Sequence, residues 1–211
     1  MHSVIDPPLD CPLCPRLVDF RHDNRRTYPE FFNAPVPVWG DSAARLLIVG
    51  LAPGLKGANR TGRPFTGDYA GDLLYATLLK FGAATGTYRA DPDDGMTLNG
   101  VAIVNAVRCV PPQNKPTGEE IKTCRRYLGA AIEAVQPRGY LVLGRIAHES
   151  LLATLGEKRS AFPFKHGASY ALSDGASFHA SYHCSRYNTN TGVLTTEMFE
   201  DVVGRALAAV R

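Results

Sequence analysis

The chain has 211 residues, of which 45% are hydrophobic and 20% are charged. These proportions are ordinary for a globular protein and exclude a disordered or fibrous chain. The net charge of +3, from 23 Lys and Arg against 20 Asp and Glu, permits nucleic-acid binding without indicating it. No apolar run reaches the roughly 18 residues of a membrane span, and no secretory signal opens the chain. We therefore expect a monomeric, cytoplasmic protein with one domain over residues 1–211 and no membrane partner.

Apolar runs and helical periodicity alternate along the chain after an irregular, proline-rich stretch over residues 1–44. The predicted strands cover residues 45–50, 101–105, 140–144, 169–172 and 177–181. The predicted helices cover residues 71–81, 117–135, 145–155 and 195–210, the second opening with a Thr-x-x-Glu capping box. This alternation predicts an α/β fold with a mostly parallel, helix-covered sheet.

Ligands of such sheets bind at the carboxyl ends of the strands. A glycine-rich segment follows the first predicted strand, Asn105 ends the second, and the polar segment 182–188 follows the strand at 177–181. We expect these three segments to converge on one cleft.

The five cysteines do not suggest disulfides, because their number is odd and no export signal is present. Cys11 and Cys14 form a C-x-x-C, but no second such pair exists to complete a zinc ribbon. Together with Cys109 and Cys124 they can close an iron–sulfur site, although buried free thiols explain the same pattern. Cys184 is interpreted as a free core cysteine.

Several polar and aromatic residues near the predicted cleft have both a functional and a structural interpretation. Asn105 can read the edge of a nucleobase or satisfy backbone groups at the strand end. Phe65 can stack on a planar ligand or simply pack into the core. His183 can donate to a developing anion or hold a loop carbonyl. Asp68 can act on a substrate or only cap the helix that follows it.

Four motifs in this order resemble those of the iron–sulfur uracil-DNA glycosylases, and most closely the family 5 (type B) branch. The motifs are Gly-Leu-Ala-Pro-Gly at 50–54, Gly-Arg-Pro-Phe-Thr-Gly-Asp at 62–68, Asn-Ala-Val-Arg-Cys-Val-Pro-Pro at 105–112, and His-Cys-Ser-Arg-Tyr-Asn at 183–188. The resemblance runs from Cys11 to about residue 195 and therefore covers nearly the whole chain.

The resemblance implies an α/β three-layer sandwich with a central four-stranded, mostly parallel sheet flanked by helices. It also implies an N-terminal cluster-binding segment and a [4Fe–4S] cluster held by Cys11, Cys14, Cys109 and Cys124. We expect this cluster to be structural and to fix the proline-rich loop around Cys109.

The resemblance also assigns roles within the predicted cleft. Phe65 stacks on the flipped-out base, Asn105 reads its edge, and His183 faces the pyrimidine oxygen. Asp68 takes the water-positioning role, because the first motif carries Leu51 and no polar residue there. A helix N-terminus at Asp68 would favour its ionised form.

The remaining substrate contacts are assigned to Gly50 and Ala52 through their backbone, and to Arg186 on the DNA. We also expect Arg60 and Arg63 to contact phosphates. One departure concerns Cys184, which stands where the wider superfamily usually has proline after the histidine.

The implied function is that of a monofunctional DNA glycosylase. It would hydrolyse the N-glycosidic bond of uracil, with hypoxanthine or xanthine as further bases, and leave an abasic site. Its partner is DNA containing uracil or other deaminated bases. The alternatives are a non-catalytic iron–sulfur damage sensor and an electron-transfer protein.

Overall fold

Four parallel strands form the centre of the main sheet in the computed structural model, which describes residues 6–211. The strands in chain order are β1 (Trp39–Gly40), β2 (Leu46–Gly50), β3 (Ala84–Thr85), β4 (Thr97–Leu98), β5 (Val101–Asn105), β6 (Gly139–Leu143), β7 (Ser169–Ala171) and β8 (Ser177–Ser181). The main sheet has the order β1-β5-β2-β6-β8-β7, and β3 pairs with β4 in a separate two-stranded sheet. The four parallel strands confirm the sequence-based prediction.

The sheet has six strands rather than four, because a short antiparallel strand is added at each edge. Of these, the strand at 169–172 is predicted by its pattern, but β1 is not. With only two residues, β1 is too short to show the alternation that marks a strand.

Helices cover both faces of the sheet. They are α1 (Pro15–Thr27), α2 (Ala58–Thr61), α3 (Tyr69–Lys80), α4 (Gly118–Val135), α5 (Arg145–Leu155), α6 (Arg186–Asn190) and α7 (Thr196–Ala208), with 3-10 turns at Pro112–Asn114 and Arg159–Ala161. The predicted capping box is present: Thr117 accepts from the backbone of Glu120, whose side chain accepts from the backbone of Thr117. None of these helices in the described part of the chain is long and apolar enough to cross a membrane.

Alternate residues of each central strand face opposite helix layers, as the two-residue period of a strand requires. In β2, Leu46 and Ile48 pack with α3 and α7. Leu47 and Val49 point to the other face, where α4 and α5 cover them. The three-layer arrangement follows directly from this double-sided apolar pattern.

The N-terminal stretch is less irregular than its composition predicts, because α1 occupies Pro15–Thr27. Its sequence lacks an apolar stripe, and two polar residues, Arg21 and Asn24, are buried instead. Only the two ends of the helix carry sequence signals that could have predicted it. These are Pro15 at the first helical position and basic residues in the last turn.

Candidate active site

A pocket of about 400 Å³ opens at the carboxyl ends of β2, β5 and β8, where the sequence predicts a cleft. The residues around it include most of the predicted site residues. They are Leu51, Ala52, Pro53, Gly54, Ala58, Phe65, Asp68, Tyr69, Ala70, Asn105, Asn114, His183, Ser185 and Arg186. The three distant segments therefore converge as expected.

Phe65 is held in a backbone conformation that a phenylalanine rarely adopts, with φ of 53°. The Tyr88 hydroxyl donates to the Phe65 carbonyl and accepts from the Gly67 amide, both at 3.3 Å. The Tyr75 hydroxyl donates to the Pro64 carbonyl at 2.5 Å. A Cβ on Gly71 would lie 1.8 Å from the Phe65 oxygen, so only glycine fits there. Strain of this kind is maintained where the surroundings over-determine it, as at ligand sites.

Arg63 does not face the pocket, so its expected phosphate contact is wrong. Its side chain is 3% exposed and makes a bidentate ion pair with Asp94, at 2.8 Å for both bonds. Its guanidinium also lies 4.9 Å from the centre of the Trp39 ring. Arg63 instead anchors the segment that carries Phe65, since its Nε donates to Thr66 Oγ1 at 2.7 Å. Arg60 donates to the Lys56 carbonyl at 3.0 Å, and its phosphate contact stays a prediction.

Asn105 presents a free amide to the pocket. Asn105 is only 3% exposed, yet its side chain has no hydrogen-bond partner among residues 6–211. Gly50 lies beside it in the neighbouring strand, and a Cβ there would be 2.5 Å from Asn105 Oδ1 and 2.6 Å from Phe65 Cζ. Gly50 is therefore required for the shape of the pocket floor. An amide without a protein partner is available to a ligand.

Asp68 is the N-cap of α3, and its side chain accepts from the Gly71 amide at 3.2 Å. Its other oxygen faces the loop after β2, since a Cβ on Gly57 would approach Oδ2 to 2.4 Å. Burial raises the pKa of Asp68 above its usual value, and the amides of Gly71 and Ala70 only partly oppose this. Burial therefore outweighs the effect of the helix N-terminus on the pKa of Asp68, contrary to the expectation that the helix dipole favours the ionised form.

His183 lies beside Phe65 in the pocket, with ring centres 6.0 Å apart and planes 28° apart. Burial lowers the pKa of His183, so its ring is neutral near pH 7. The loop is fixed by Asn188, whose Nδ2 donates to the His183 carbonyl at 2.8 Å. A neutral imidazole in this position can donate one N–H to a ligand oxygen.

Arg186 is an exposed residue of the pocket lining, and the exposed Tyr187 follows it in the chain. The Arg186 guanidinium lies 5.4 Å from the centre of the Tyr69 ring and has no ion-pair partner in the described chain. Tyr187 is 74% exposed, which is unusual for a large aromatic residue. Tyr69, Tyr88 and Asn114 are site residues that sequence reasoning missed, because single aromatic or amide residues carry no pattern.

Cys11, Cys14, Cys109 and Cys124 line a second, small cavity that is separate from the pocket. Cys184 lies elsewhere, fully buried, and its thiol donates to the Ala70 carbonyl at 3.5 Å. Four cysteines therefore line one cavity and the fifth lies in the core, as the sequence predicts.

Two of the four cysteine sulfurs accept hydrogen bonds from neighbouring N–H groups. The Arg108 amide donates to Cys124 Sγ at 3.3 Å, and Arg21 donates to Cys109 Sγ at 3.8 Å. Burial raises the pKa of the free thiols, to about 12 for Cys109 and about 11 for Cys124, so a bound metal is needed to ionise them at neutral pH.

The cysteines are not grouped around one metal ion. Within residues 6–211, no set of three or more His, Cys, Asp or Glu side chains is arranged to hold one. An iron–sulfur cluster instead places each thiolate on a different iron. The donor set consists only of thiols, and a backbone and a guanidinium N–H group donate to two of them. These residues therefore fit the thiolate ligand set of an iron–sulfur cluster.

Residues 37–206 match the model of the uracil DNA glycosylase superfamily. The chain belongs to the uracil-DNA glycosylase superfamily. A protein of Thermus thermophilus named type-5 uracil-DNA glycosylase is 48% identical over 202 residues, covering 93% of this chain and 92% of that protein. A protein of Pyrobaculum aerophilum with the same name is 42% identical over 204 residues, covering 95% and 89%.

Relatives named type-4 match less of the chain. The one from Archaeoglobus fulgidus is 38% identical over 113 residues, covering 53% of this chain and 49% of that protein. The resemblance to the type-5 branch of the superfamily is thus confirmed. The roles of the individual pocket residues stay predictions.

Proposed function

We propose that this protein hydrolyses the N-glycosidic bond of uracil in DNA and leaves an abasic site. The observation that carries the proposal is the pocket itself, which places an aromatic ring, a free amide, a carboxylate and an imidazole together. The names of the type-5 relatives describe the same activity. The damage sensor is not favoured, because a binding module does not need a buried carboxylate in its pocket.

Binding would begin with the target base leaving the duplex, since its glycosidic bond cannot be reached inside the helix. The flipped base would stack on Phe65 and present its edge to Asn105, which can donate and accept at once. The fixed backbone of Phe65 pre-organises this platform, so little freedom is lost on binding.

Cleavage of the bond leaves negative charge on the departing base and positive character on the sugar. The neutral His183 can donate to the base oxygen, where charge develops. The ionised Asp68 can orient the attacking water and face the sugar cation. No lysine lines the pocket in the part of the chain that the structure describes, so a Schiff-base lyase step has no nucleophile.

We extend the proposal to hypoxanthine and xanthine. The pocket volume of about 400 Å³ and the small side chain of Ala52 on its wall support acceptance of a purine. Competition between duplexes that carry uracil, hypoxanthine or xanthine would rank these bases.

Incubation with a uracil-containing duplex followed by alkaline cleavage tests the proposal. We expect strand cleavage at the uracil position and none in a matched duplex with thymine. Retained binding of the uracil duplex without alkali-labile product would support the damage sensor instead.

The DNA-binding face is expected around the pocket mouth. Exposed basic residues follow each of the four parallel strands: Lys56, Lys115, Arg145 and Arg186. We expect Arg186→Ala to weaken DNA binding and to reduce the slope of log affinity against log salt by about one phosphate contact. Arg159→Ala, an exposed arginine paired with Glu149, is the control and should keep the slope. An unchanged slope in Arg186→Ala would contradict this contact.

We further propose that Cys11, Cys14, Cys109 and Cys124 hold a [4Fe–4S] cluster. When bound, the cluster would supply a structural cross-link between the start of α1, the loop after β5 and helix α4. Ala52 supports such a role, because it lines the base pocket and also packs against the apolar residues around these cysteines.

The purified protein is expected to be brown and to contain about four irons per chain. Cys184→Ser should keep the iron, since that thiol lies outside the group of four. A colourless protein with one zinc, or loss of iron in Cys184→Ser, would refute this ligand set.

A further inference from the structure

A buried arginine lies against the four cysteines. Arg21 is 2% exposed, and it reaches from α1 to two of them at once. Its Nη2 donates to the Cys11 carbonyl at 3.0 Å, and its Nη1 lies 3.8 Å from Cys109 Sγ. Cys11 and Cys109 are far apart in the sequence, so Arg21 joins two segments of the group.

Arg21 differs from the other buried arginines in having no acidic partner. Arg63 is paired with Asp94 at 2.8 Å, and Arg108 with Asp6 at 2.6 Å. Among residues 6–211, no carboxylate forms an ion pair with Arg21, and its Nε has no hydrogen-bond partner. The exposed Asp10 interacts with Arg21 electrostatically but without a hydrogen bond, and it is ion-paired with Arg25. A buried charge without a directly bonded counter-charge is costly, so an anion beside Arg21 would stabilise the fold.

We propose that Arg21 is the internal counter-charge of the iron–sulfur cluster, an inference that rests on the cluster proposed above. Thiolate ligands bring negative charge into this site when a cluster is bound, and the guanidinium lies beside one of the sulfurs. The cluster and the buried arginine then stabilise each other. Arg108 also lies near Cys109 and Cys124, but its charge is already balanced by the ion pair with Asp6.

A positive charge and a hydrogen bond next to a ligand sulfur should change the reduction potential of a cluster and its retention. Both interactions raise the potential, because they favour the more negative, reduced form of the cluster. Both also hold the sulfur in place and slow the loss of iron. Arg21 would therefore affect cluster retention and potential without contacting DNA.

The test compares Arg21→Met, which keeps an apolar stem but no charge, with Arg21→Lys, which keeps the charge. Arg26→Met is the matched control, because Arg26 lies on the same helix but is exposed and paired with Asp23 of that helix. The measurements are iron per chain, the decay of visible absorbance in air, and the reduction potential.

We expect wild type and Arg26→Met to behave alike. Arg21→Met should lose its absorbance about tenfold faster or more, because a charge-assisted hydrogen bond is removed. Any cluster that it retains should have a more negative potential. Arg21→Lys should retain the cluster longer than Arg21→Met.

The outcomes separate this inference from the cluster proposal. An iron-free wild type would refute both. An iron-loaded wild type with Arg21→Met unchanged in decay and potential would overturn only the role of Arg21. Equal iron loss in Arg21→Met and Arg21→Lys would also overturn it, because charge would then not be the cause. The uracil-cleavage assay is independent of all three measurements.

Discussion

Asp68→Asn is expected to reduce the turnover of uracil DNA by about two orders of magnitude or more, because it removes the carboxylate proposed to orient water. The fold and DNA binding should persist, since Asn caps a helix about as well as Asp. Single-turnover release of uracil is the measurement, since it reports the chemical step without product release.

The pH dependence of the wild type follows from the raised pKa of Asp68. The Asp68 carboxylate can orient water only when it is ionised, so the rate of uracil release should rise as pH increases through this raised pKa. The free energy of unfolding should change in the opposite direction. Burial favours the protonated form of the folded protein, so stability is lost as pH rises through the same pKa. Asn is neutral at every pH, so Asp68→Asn should be at least as stable as wild type near neutral pH.

Asp72→Asn is the matched control, because Asp72 lies in the first turn of the same helix but is exposed and outside the pocket. It removes one carboxylate from the same helix end and should leave turnover nearly unchanged. Near-normal uracil release by Asp68→Asn would show that Asp68 is only a helix cap.

The strands that build the site could be predicted because each is buried on both faces. The runs at 46–50 and 101–105 are apolar, whereas 177–181 is a mixed Ser-Phe-His-Ala-Ser segment that is mostly buried. The parallel arrangement of all three strands then brings their carboxyl ends together. The convergence of Asn105 and His183 with the loop after β2 follows from topology and needs no side-chain detail.

The surroundings of Phe65 could not be predicted in the same way. Arg63 stands within a site motif, yet its partner Asp94 comes from a distant loop that no local pattern connects to it. The same holds for Tyr88, which fixes the Phe65 backbone through its hydroxyl. These contacts depend on how a loop folds back, and sequence periodicity carries no information on that.

Asn105→Ala is expected to reduce uracil release by about 100-fold, because one positioned donor to a developing charge is typically worth that much. The free energy of unfolding should change by no more than about 1 kcal/mol. The Asn105 side chain has no hydrogen-bond partner among the described residues, so the substitution breaks no protein hydrogen bond. Thermal or denaturant unfolding and single-turnover kinetics measure the two effects separately.

Asn33→Ala provides the contrast, because Asn33 is a buried amide with partners. Its Nδ2 donates to the Tyr28 carbonyl at 2.6 Å, and its Oδ1 accepts from Asn59 at 2.9 Å. Removing it should cost about 1–3 kcal/mol of stability, since its partners are left unsatisfied. A large stability loss in Asn105→Ala with little change in uracil release would reverse the assignment and make Asn105 a structural residue. A large loss of uracil release in Asn105→Ala with little loss of stability would show that the unpartnered amide of Asn105 serves to bind the base.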